Sequence, residues 1–141
     1  MASGVGVDEG VVPIFDDIKL KNKYSYIIFH IEDHKKIKVL KAEEDLTKTY
    51  KDFCAELPKN ECRYGVYDFR YTLDDGGIRN KLVFYHWVPD TAKVKDKMVY
   101  ASSKDALRKK LVGIRDEQQA TDDSELNYDE IKEKISKGGT S

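Results

Sequence analysis

Apolar residues along the chain follow two different periods, which predict most of its secondary structure. Alternation of apolar and polar residues, or a short apolar run rich in aromatic and β-branched residues, is typical of strands. We therefore predict strands at residues 24–31, 37–40, 63–71 and 82–88. The first strand is apolar on both of its faces, which indicates that both sides of the sheet are covered. Polar turns near Asp33 and at residues 74–77 (Asp-Asp-Gly-Gly) predict hairpins after the first and third strands.

Apolar residues three and four positions apart predict four helices around these strands. The helices are expected at residues 8–19, 46–57, 94–111 and 128–136. Asp8 is suited to cap the first helix, but Pro13 cannot donate a backbone hydrogen bond, so that helix is expected to start late or bend. Pro58 is expected to end the second helix. Strands that are covered on both faces and interleaved with helices predict an α/β/α sandwich around a mixed sheet.

The length and composition are those of one domain. The chain has 141 residues, enough to bury a core without staples, and it shows no repeat or internal linker. We expect a single domain over residues 1–141, with flexible tails at residues 1–7 and 138–141. The N-terminus does not resemble a secretory signal, and no apolar stretch is long enough to span a membrane. An intracellular protein is expected, in which Cys54 and Cys62 are free thiols.

The predicted helix at residues 94–111 has two distinct surfaces on a helical wheel. The side expected to pack on the sheet carries Val99, Ala106, Leu107, Leu111 and Ile114. The opposite side carries Met98, Ala101, Asp105, Arg108 and Val112, with Lys95, Ser102 and Lys109 along one edge and Lys97 and Lys104 along the other. An apolar row rimmed by charge is typical of a partner-binding face. Met98 and Val112 are equally consistent with stray exposed apolar residues, which are common.

Charge is distributed unevenly along a chain that is nearly neutral overall. The net charge is −1, although 36% of the residues are charged. Residues 93–110 contain seven basic and two acidic side chains, whereas residues 115–130 contain one basic and seven acidic ones. This sorting predicts a local positive field, suited to an acidic protein surface or to anionic lipid headgroups.

The residue types needed for catalysis or metal binding do not form recognisable motifs. The sequence has no glycine-rich phosphate loop, and no nucleophile elbow surrounds Ser102. His30 and His86 fall in predicted strands, where structural histidines with satisfied hydrogen bonds are expected. Aromatic residues alternate along core strands and do not interleave with basic residues, as a nucleic-acid stacking surface would require. We expect a non-enzymatic protein with no cofactor, no metal site and no nucleic-acid partner.

One part of the chain closely resembles the signature of the actin-depolymerising factor/cofilin family. This part is residues 87–114, WVPDTAKVKDKMVYASSKDALRKKLVGI. Residues 57–71 (LPKNECRYGVYDFRY) and the N-terminal Met-Ala-Ser-Gly-Val are similar to the same family, so the resemblance covers nearly the whole chain. It implies the α+β actin-depolymerising-factor homology fold, a mixed sheet between helices on both faces. It also implies a monomeric, cytoplasmic protein of the actin cytoskeleton that binds monomeric and filamentous actin, severs filaments and promotes their depolymerisation.

The resemblance further implies which residues contact actin. The contact for both monomers and filaments comprises Ser3, Gly4, Val5, Lys95, Lys97, Met98, Ser102, Lys104, Asp105 and Arg108. The contact for filaments only comprises Arg79, Lys81, Glu133, Lys134 and Lys137. Phosphoinositide headgroups, which compete with actin in this family, are expected at Lys95, Lys97, Lys104, Lys109 and Lys110. Ser3 matches the family's regulatory phosphorylation site.

The sequence departs from the family pattern at several positions. Asp96 lies between Lys95 and Lys97, where relatives usually carry a small or basic residue. Asp116 occupies the place of a histidine that some members use in a pH response. Residues 21–23 lack the basic insertion that vertebrate members use for nuclear import.

Two classes of alternative function stay open from the sequence. Within the same fold, the chain is also consistent with a coactosin-like filament side binder or a monomer sequesterer, neither of which severs. In a different class, a phosphoinositide-binding membrane adaptor would use the same basic residues. Co-sedimentation with filaments and with liposomes separates these possibilities.

Overall fold

The computed structural model of the chain describes residues 4–72 and 75–138, and for residues 136–138 it describes the backbone only. Within these residues the strands are β1 (Gly6–Val7), β2 (Tyr26–Glu32), β3 (Lys36–Glu43), β4 (Arg63–Thr72), β5 (Ile78–Trp87) and β6 (Asp116–Ala120). They form one sheet in the order β1-β3-β2-β4-β5-β6. The central strands β3, β2, β4 and β5 are antiparallel, whereas β1 runs parallel to β3 and β6 runs parallel to β5. The sheet is therefore mixed, as predicted.

Helices cover both faces of this sheet. They are α1 (Val11–Lys21), α2 (Tyr50–Ala55), α3 (Val94–Lys110) and α4 (Tyr128–Gly138). Phe15 of α1 and Leu107 of α3 belong to one buried cluster with residues from one side of the sheet. Phe53 of α2 and Ile131 of α4 belong to a second cluster on the other side. Two cores separated by one sheet confirm the predicted α+β sandwich.

Each of the four predicted strands is present. β3 and β4 extend beyond their predicted bounds, β5 begins earlier than predicted, and β2 begins later than predicted but ends one residue further on. β2 and β3 are joined through Asp33 and His34, whose φ angles are 52° and 57°. Two successive left-handed residues define a type I′ turn, which matches the right-handed twist of the strands that it joins. β4 and β5 pair from Arg63 opposite Trp87 to Thr72 opposite Ile78.

The predicted flexible tail at residues 1–7 is corrected by the structure from residue 4 onward. Val5 is fully buried in the core. Gly6 and Val7 form β1, and the Gly6 amide donates to the Lys35 carbonyl at 2.9 Å. A two-residue strand, here Gly-Val, leaves too little alternation to be recognised from the sequence. Residues 1–3 lie outside the described residues, as do 139–141 of the predicted C-terminal tail.

The sequence pattern also missed β6, whose residues are Asp-Glu-Gln-Gln-Ala. This segment has low strand propensity and no apolar alternation. It is a strand because β5 offers a free edge, along which Val83 pairs with Asp116 and Trp87 pairs with Ala120. Long-range pairing therefore overrides local propensity here.

Helix α1 starts at Val11, three residues later than predicted. Gly10 lies at the N-cap, and the Asp8 carboxylate accepts from the Gly10 amide at 3.0 Å. Pro13 is the third residue of the helix. Backbone amides of the first turn have no partner within a helix, so proline is tolerated there. The prediction that Pro13 would make the helix start late is confirmed.

Helix α2 is shorter than the predicted segment at residues 46–57. Thr49 caps it, with its side chain accepting from the Asp52 amide while Asp52 accepts from the Thr49 amide. Leu46 lies outside the helix and is half exposed. A reciprocal capping box fixes where a helix begins, and it outweighs the apolar spacing that placed Leu46 inside.

Candidate functional site

Helix α3 has one buried face and one exposed face, in the arrangement that the helical wheel predicts. Leu107, Leu111 and Ile114 are buried, and Val99 and Ala106 are partly buried. On the opposite side Met98 is 66% exposed and Val112 is 68% exposed. Ala101, Ser102 and Asp105 are exposed between them. We refer to Met98, Ala101, Ser102 and Asp105 of α3, together with Val112 just after its end, as the outer stripe of α3.

The buried face also contains Tyr100 and Ser103, which the wheel did not assign to the core. The Tyr100 hydroxyl accepts from the Ile31 amide of β2 at 2.9 Å. The Tyr64 hydroxyl of β4 donates to the Tyr100 carbonyl. Polar tips of buried tyrosines generally find such partners. These bonds hold α3 firmly on the sheet, so its outer stripe is presented by a rigid element.

The lysines at the start of α3 differ in how they are held. Lys95 is exposed, whereas Lys97 is partly buried and its Nζ donates to the Asp90 carbonyl at 2.6 Å. An ammonium group has three donors, so Lys97 keeps donors for a partner. Both lysines flank Met98 at one end of the outer stripe.

Asp96, the unusual acidic residue of this segment, is bonded away from the two lysines. Its Oδ1 lies 2.6 Å from Nε2 of His34, in the turn between β2 and β3. The Asp96 side chain is 27% exposed and that of His34 is 41% exposed. The contact joins the start of α3 to the hairpin and directs the Asp96 carboxylate toward the turn. The departure from the family pattern therefore has a structural partner that the sequence did not reveal.

The wheel placed Arg108 on the outer side of the helix and Lys104 along its edge, and the structure shows that both side chains are paired within the chain. Both pair with Glu117 of β6, Lys104 through Nζ at 2.6 Å and Arg108 through Nε at 2.9 Å. The Arg108 guanidinium also lies 5.4 Å from the centre of the Phe84 ring, a cation–π contact. Burial alone would raise the pKa of Glu117, but the hydrogen bonds from the two cations outweigh it and hold that pKa below its ordinary value.

The five candidate phosphoinositide residues fall into two groups. Lys95, Lys109 and Lys110 are exposed, the last two at the C-terminal end of α3. Lys97 and Lys104 are partly buried and already bonded, as described above. Exposed cations at a helix C-terminus are favoured by the helix dipole, which offers a structural reason for their position.

A second basic surface lies where β5 meets α4. Nζ of Lys81 donates to the Ile135 carbonyl of α4 at 3.0 Å and lies 3.7 Å from Oδ2 of Asp116. Nζ of Lys134 lies 3.2 Å from the Glu117 carbonyl and 3.3 Å from Oε1 of Gln118. Arg79 is exposed at the start of β5. The structure thus brings β5, which carries Arg79 and Lys81, next to α4, which carries Lys134 and is distant from β5 in sequence.

The remaining candidates of this surface and of the N-terminus are placed as follows. Glu133 is exposed on α4. Lys137 belongs to the same helix, where the structure describes its backbone only. Gly4 is exposed with a φ of 70°, whereas Val5 is fully buried. Val5 therefore anchors the start of the chain in the core. Ser3 lies outside the described residues.

The buried histidine departs from the expectation of a satisfied structural residue. His86 is 3% exposed, and neither of its ring nitrogens has a hydrogen-bond partner within the described part of the chain. Burial, together with the nearby charge of Lys104, lowers the pKa of His86 to about 4. His30 is partly buried and its pKa is also lowered, by burial and then by Arg63. Both histidines favour the neutral form.

Comparison with known proteins decides which family this arrangement belongs to. Residues 4–136 match the family model described as cofilin/tropomyosin-type actin-binding protein. The chain belongs to this family. It is 49% identical to the cofilin of Mycosarcoma maydis, an alignment covering 97% of this chain and 98% of the relative. It is 46% identical to the cofilin of Saccharomyces cerevisiae, covering 99% and 97% of the two chains.

A solved structure shares the fold of this cofilin-family chain. The crystal structure of Streptomyces griseoflavus cofilin superposes with a TM-score of 0.87 at 44% identity, covering 95% of this chain and 98% of that one. The resemblance noted from residues 87–114 and 57–71 is therefore confirmed, as is the fold that it implied. Membership of an actin-binding family also confirms the expectation of a non-enzymatic protein.

Two further features of this family member concern membranes and metals. Along the described residues, none of the helices combines the length and apolar character needed to cross a bilayer. Within the same residues, no group of three His, Cys, Asp or Glu side chains is arranged to hold a metal ion. Cys54 is partly buried and Cys62 is buried, both as free thiols.

Proposed function

We propose that this chain binds monomeric and filamentous actin, severs filaments and promotes their depolymerisation. The single observation that carries the proposal is the outer stripe of α3, an exposed row that includes the apolar Met98 and Val112, is held on the sheet and has Lys95 and Lys97 at one end. An apolar centre with a charged rim is suited to a protein partner with an acidic surface. The chain acts as a monomer in the cytoplasm, on the actin cytoskeleton.

The second basic surface supports the action on filaments. It joins β5 to α4, whereas α3 packs on the other face of the sheet. A small protein with contact surfaces on different faces can touch two neighbouring subunits of a polymer, but only one surface can be used on a single subunit. Arg79, Lys81, Glu133, Lys134 and Lys137 form the filament-only contact in this proposal. Binding two subunits at once strains the contact between them, which is a physical route to severing.

Phosphoinositide headgroups are a second proposed partner of the exposed lysines. Lys95, Lys109 and Lys110 lie along α3, where a lipid headgroup would meet the same positive field as actin. Lys97 and Lys104 join them if their present bonds are exchanged for phosphate oxygens. Because the two ligands share residues, binding of one excludes the other.

Ser3 is the proposed site of regulation by phosphorylation. Phosphorylation adds about −1.5 to −2 charge at neutral pH, which would oppose an acidic partner. Val5, two residues on in the sequence, is fully buried in the core. Ser3→Glu should weaken binding to actin monomers, and Ser3→Ala should bind as the unmodified chain does. Equal monomer affinity of the two variants, measured by fluorescence titration, would remove this role.

Co-sedimentation separates the proposed function from its alternatives. The chain should pellet with actin filaments and should increase the fraction of actin left in the supernatant. A filament side binder would pellet without raising soluble actin, and a sequesterer would raise soluble actin without pelleting. A membrane adaptor would pellet with phosphoinositide liposomes and not with filaments. Absence of the chain from the filament pellet would overturn the proposal.

A further inference from the structure

Glu117 connects the two proposed actin-contact surfaces, although it was not among the residues predicted from the sequence. Its two carboxylate oxygens each accept from one cation of α3, Lys104 at 2.6 Å and Arg108 at 2.9 Å. Its backbone carbonyl lies 3.2 Å from Nζ of Lys134, on α4. One residue of β6 therefore contacts helices on opposite faces of the sheet.

The alternation of β6 explains how one short strand serves both faces. Successive side chains of a strand point to opposite sides of the sheet. The Asp116 carboxylate faces the α4 side, where it lies 3.7 Å from Nζ of Lys81. The Glu117 carboxylate faces the α3 side, where it meets Lys104 and Arg108. The acidic segment after α3 thus supplies one counter-ion to each proposed contact surface.

Arg108 is held on several sides by this arrangement. Its Nε donates to Glu117, its guanidinium lies 5.4 Å from the centre of the Phe84 ring, and Nη2 lies 3.4 Å from the Ile114 carbonyl. The Arg108 side chain is still 24% exposed and that of Lys104 is 26% exposed. A guanidinium has five donors and an ammonium has three, so both side chains keep donors for an acidic partner.

A carboxylate between two cations either fixes them for a partner or competes with that partner. The cluster of Lys104, Arg108 and Glu117 keeps a net charge of +1, so it stays attractive to an acidic surface. Without Glu117, two like charges four residues apart on α3 would repel each other. Long side chains that are already ordered also lose less entropy on binding. Glu117 is therefore expected to position the two cations for a partner and not to compete with that partner for them.

We propose that Glu117 is a positioning residue of the actin-binding surface, which holds Lys104 and Arg108 in place for acidic groups of actin. This role rests on the proposed function. It acts on the contact used for both monomers and filaments. Loss of the Glu117 charge should therefore weaken both kinds of binding together.

Glu117→Gln tests the proposal with little change in shape. The amide keeps one acceptor oxygen and turns an NH₂ donor toward the second cation, so only one of the two bonds survives. Because ordering a free long side chain carries an entropic cost, affinity for monomers and filaments should fall about threefold to tenfold. Glu44→Gln is the charge-matched control, since Glu44 is exposed in the loop after β3. It makes the same change in net charge and should bind as the unmodified chain does.

A double-mutant cycle with Arg108→Ala separates positioning from a general effect on the fold. In the Arg108→Ala background, Glu117→Gln should cost less than about half of its single-mutant loss, measured as ΔΔG, because one of its targets is gone. The Arg108 Nε–H signal of the free protein should also shift and exchange faster with solvent in Glu117→Gln, a readout that needs no actin. The positioning role would be overturned by any one of three results. These are additive losses in the double mutant, an unchanged Arg108 Nε–H signal, and binding by Glu117→Gln as tight as that of the unmodified chain. Failure of the unmodified chain to bind actin would instead overturn the proposed function, and this role with it.

Discussion

At the scale of single residues, His86 has the most unusual environment in the described part of the chain. It lies in β5 against the Tyr64 ring, with ring centres 5.5 Å apart, and is almost fully buried. Lys104 lies close enough to disfavour a second positive charge, whereas Glu117 partly offsets that effect. Burial remains the main cause of the low pKa. A histidine that must stay neutral makes the fold sensitive to acid.

The pH dependence of stability follows from the two pKa values of His86. The folded pKa of about 4 lies below the ordinary value of 6.5, so folding disfavours protonation of this residue. Its contribution to stability is complete above pH 6.5 and is lost as the pH falls toward 4. The loss is at most about 3–4 kcal/mol, since folding moves the pKa from 6.5 to about 4 and one pKa unit corresponds to about 1.4 kcal/mol. Urea unfolding of His86→Leu should show a weaker loss of stability between pH 7.5 and 4.5 than the unmodified chain.

The value at pH 7.5 serves as the internal control for that comparison. The variant should be at least as stable there, because leucine removes two buried nitrogens that lack partners. Parallel loss of stability in both proteins across the pH range would show that other groups cause the acid sensitivity.

Lys95 and Lys97 are expected to contribute directly to actin binding. Both flank Met98 at the start of α3, and charge-assisted bonds to a desolvated acidic partner are worth about 1–3 kcal/mol each. Replacing both by alanine should therefore weaken monomer and filament affinity at least about tenfold. Fluorescence titration of monomers and pelleting of filaments measure the two affinities.

Lys48 and Lys51 provide the matched control for this pair. They are exposed lysines at the α2 end of the molecule, and α2 packs on the opposite face of the sheet from α3. Their double alanine variant makes the same charge change and should keep both affinities. If the control loses as much affinity as the α3 variant, the effect comes from net charge and not from the outer stripe.

At the scale of elements, the sequence predicted the strands and helices whose residues build the two cores. Burial of β2, β4 and β5 on both faces requires runs of apolar and aromatic residues, which are visible in the sequence. β6 is polar and forms only because it pairs with β5, so local pattern could not predict it. The ion pairs of Lys104 and Arg108 depend on β6, which is why the helical wheel could not predict them. The short α2 was predictable, because the capping residues Thr49 and Asp52 stand in the sequence.

The surface between β5 and α4 is expected to contribute to filament binding and not to monomer binding. Arg79 is exposed, and Lys81 bridges to the Ile135 carbonyl and to Asp116. Alanine at both positions should weaken pelleting with filaments about fivefold or more, since two charged contacts are removed. Affinity for monomers should stay within about twofold, because the proposed monomer contact lies at α3 on the other face of the sheet and distant sites act nearly independently. Equal loss of both affinities would show that the two surfaces do not act separately.

Thermal unfolding of the Arg79→Ala, Lys81→Ala variant shows how much of its effect on filament binding comes from lost stability. Lys81 also ties β5 to α4, so the variant is expected to lose some stability. Arg79→Ala alone removes an exposed side chain and should keep the unmodified melting temperature while still weakening filament binding.

At the scale of the whole molecule, a nearly neutral chain divides its charge between segments that meet in space. The basic α3 and the acidic segment after it are joined through Glu117, and the same strand reaches Lys81 and Lys134. The sequence predicted the excess of positive charge on α3, but only the fold shows how much of it is neutralised internally. What stays exposed is the outer stripe with Lys95 at one end and Lys109 and Lys110 at the other.

In the proposed function, a single domain with two contact surfaces breaks actin filaments. Time-lapse fluorescence microscopy of surface-attached actin filaments measures this most directly, as breaks per unit length and time. The unmodified chain should raise the severing rate well above that of actin alone, and the Arg79→Ala, Lys81→Ala variant should lose most of that increase. Filaments that bind the chain and shorten only from their ends, with no internal breaks, would contradict the account.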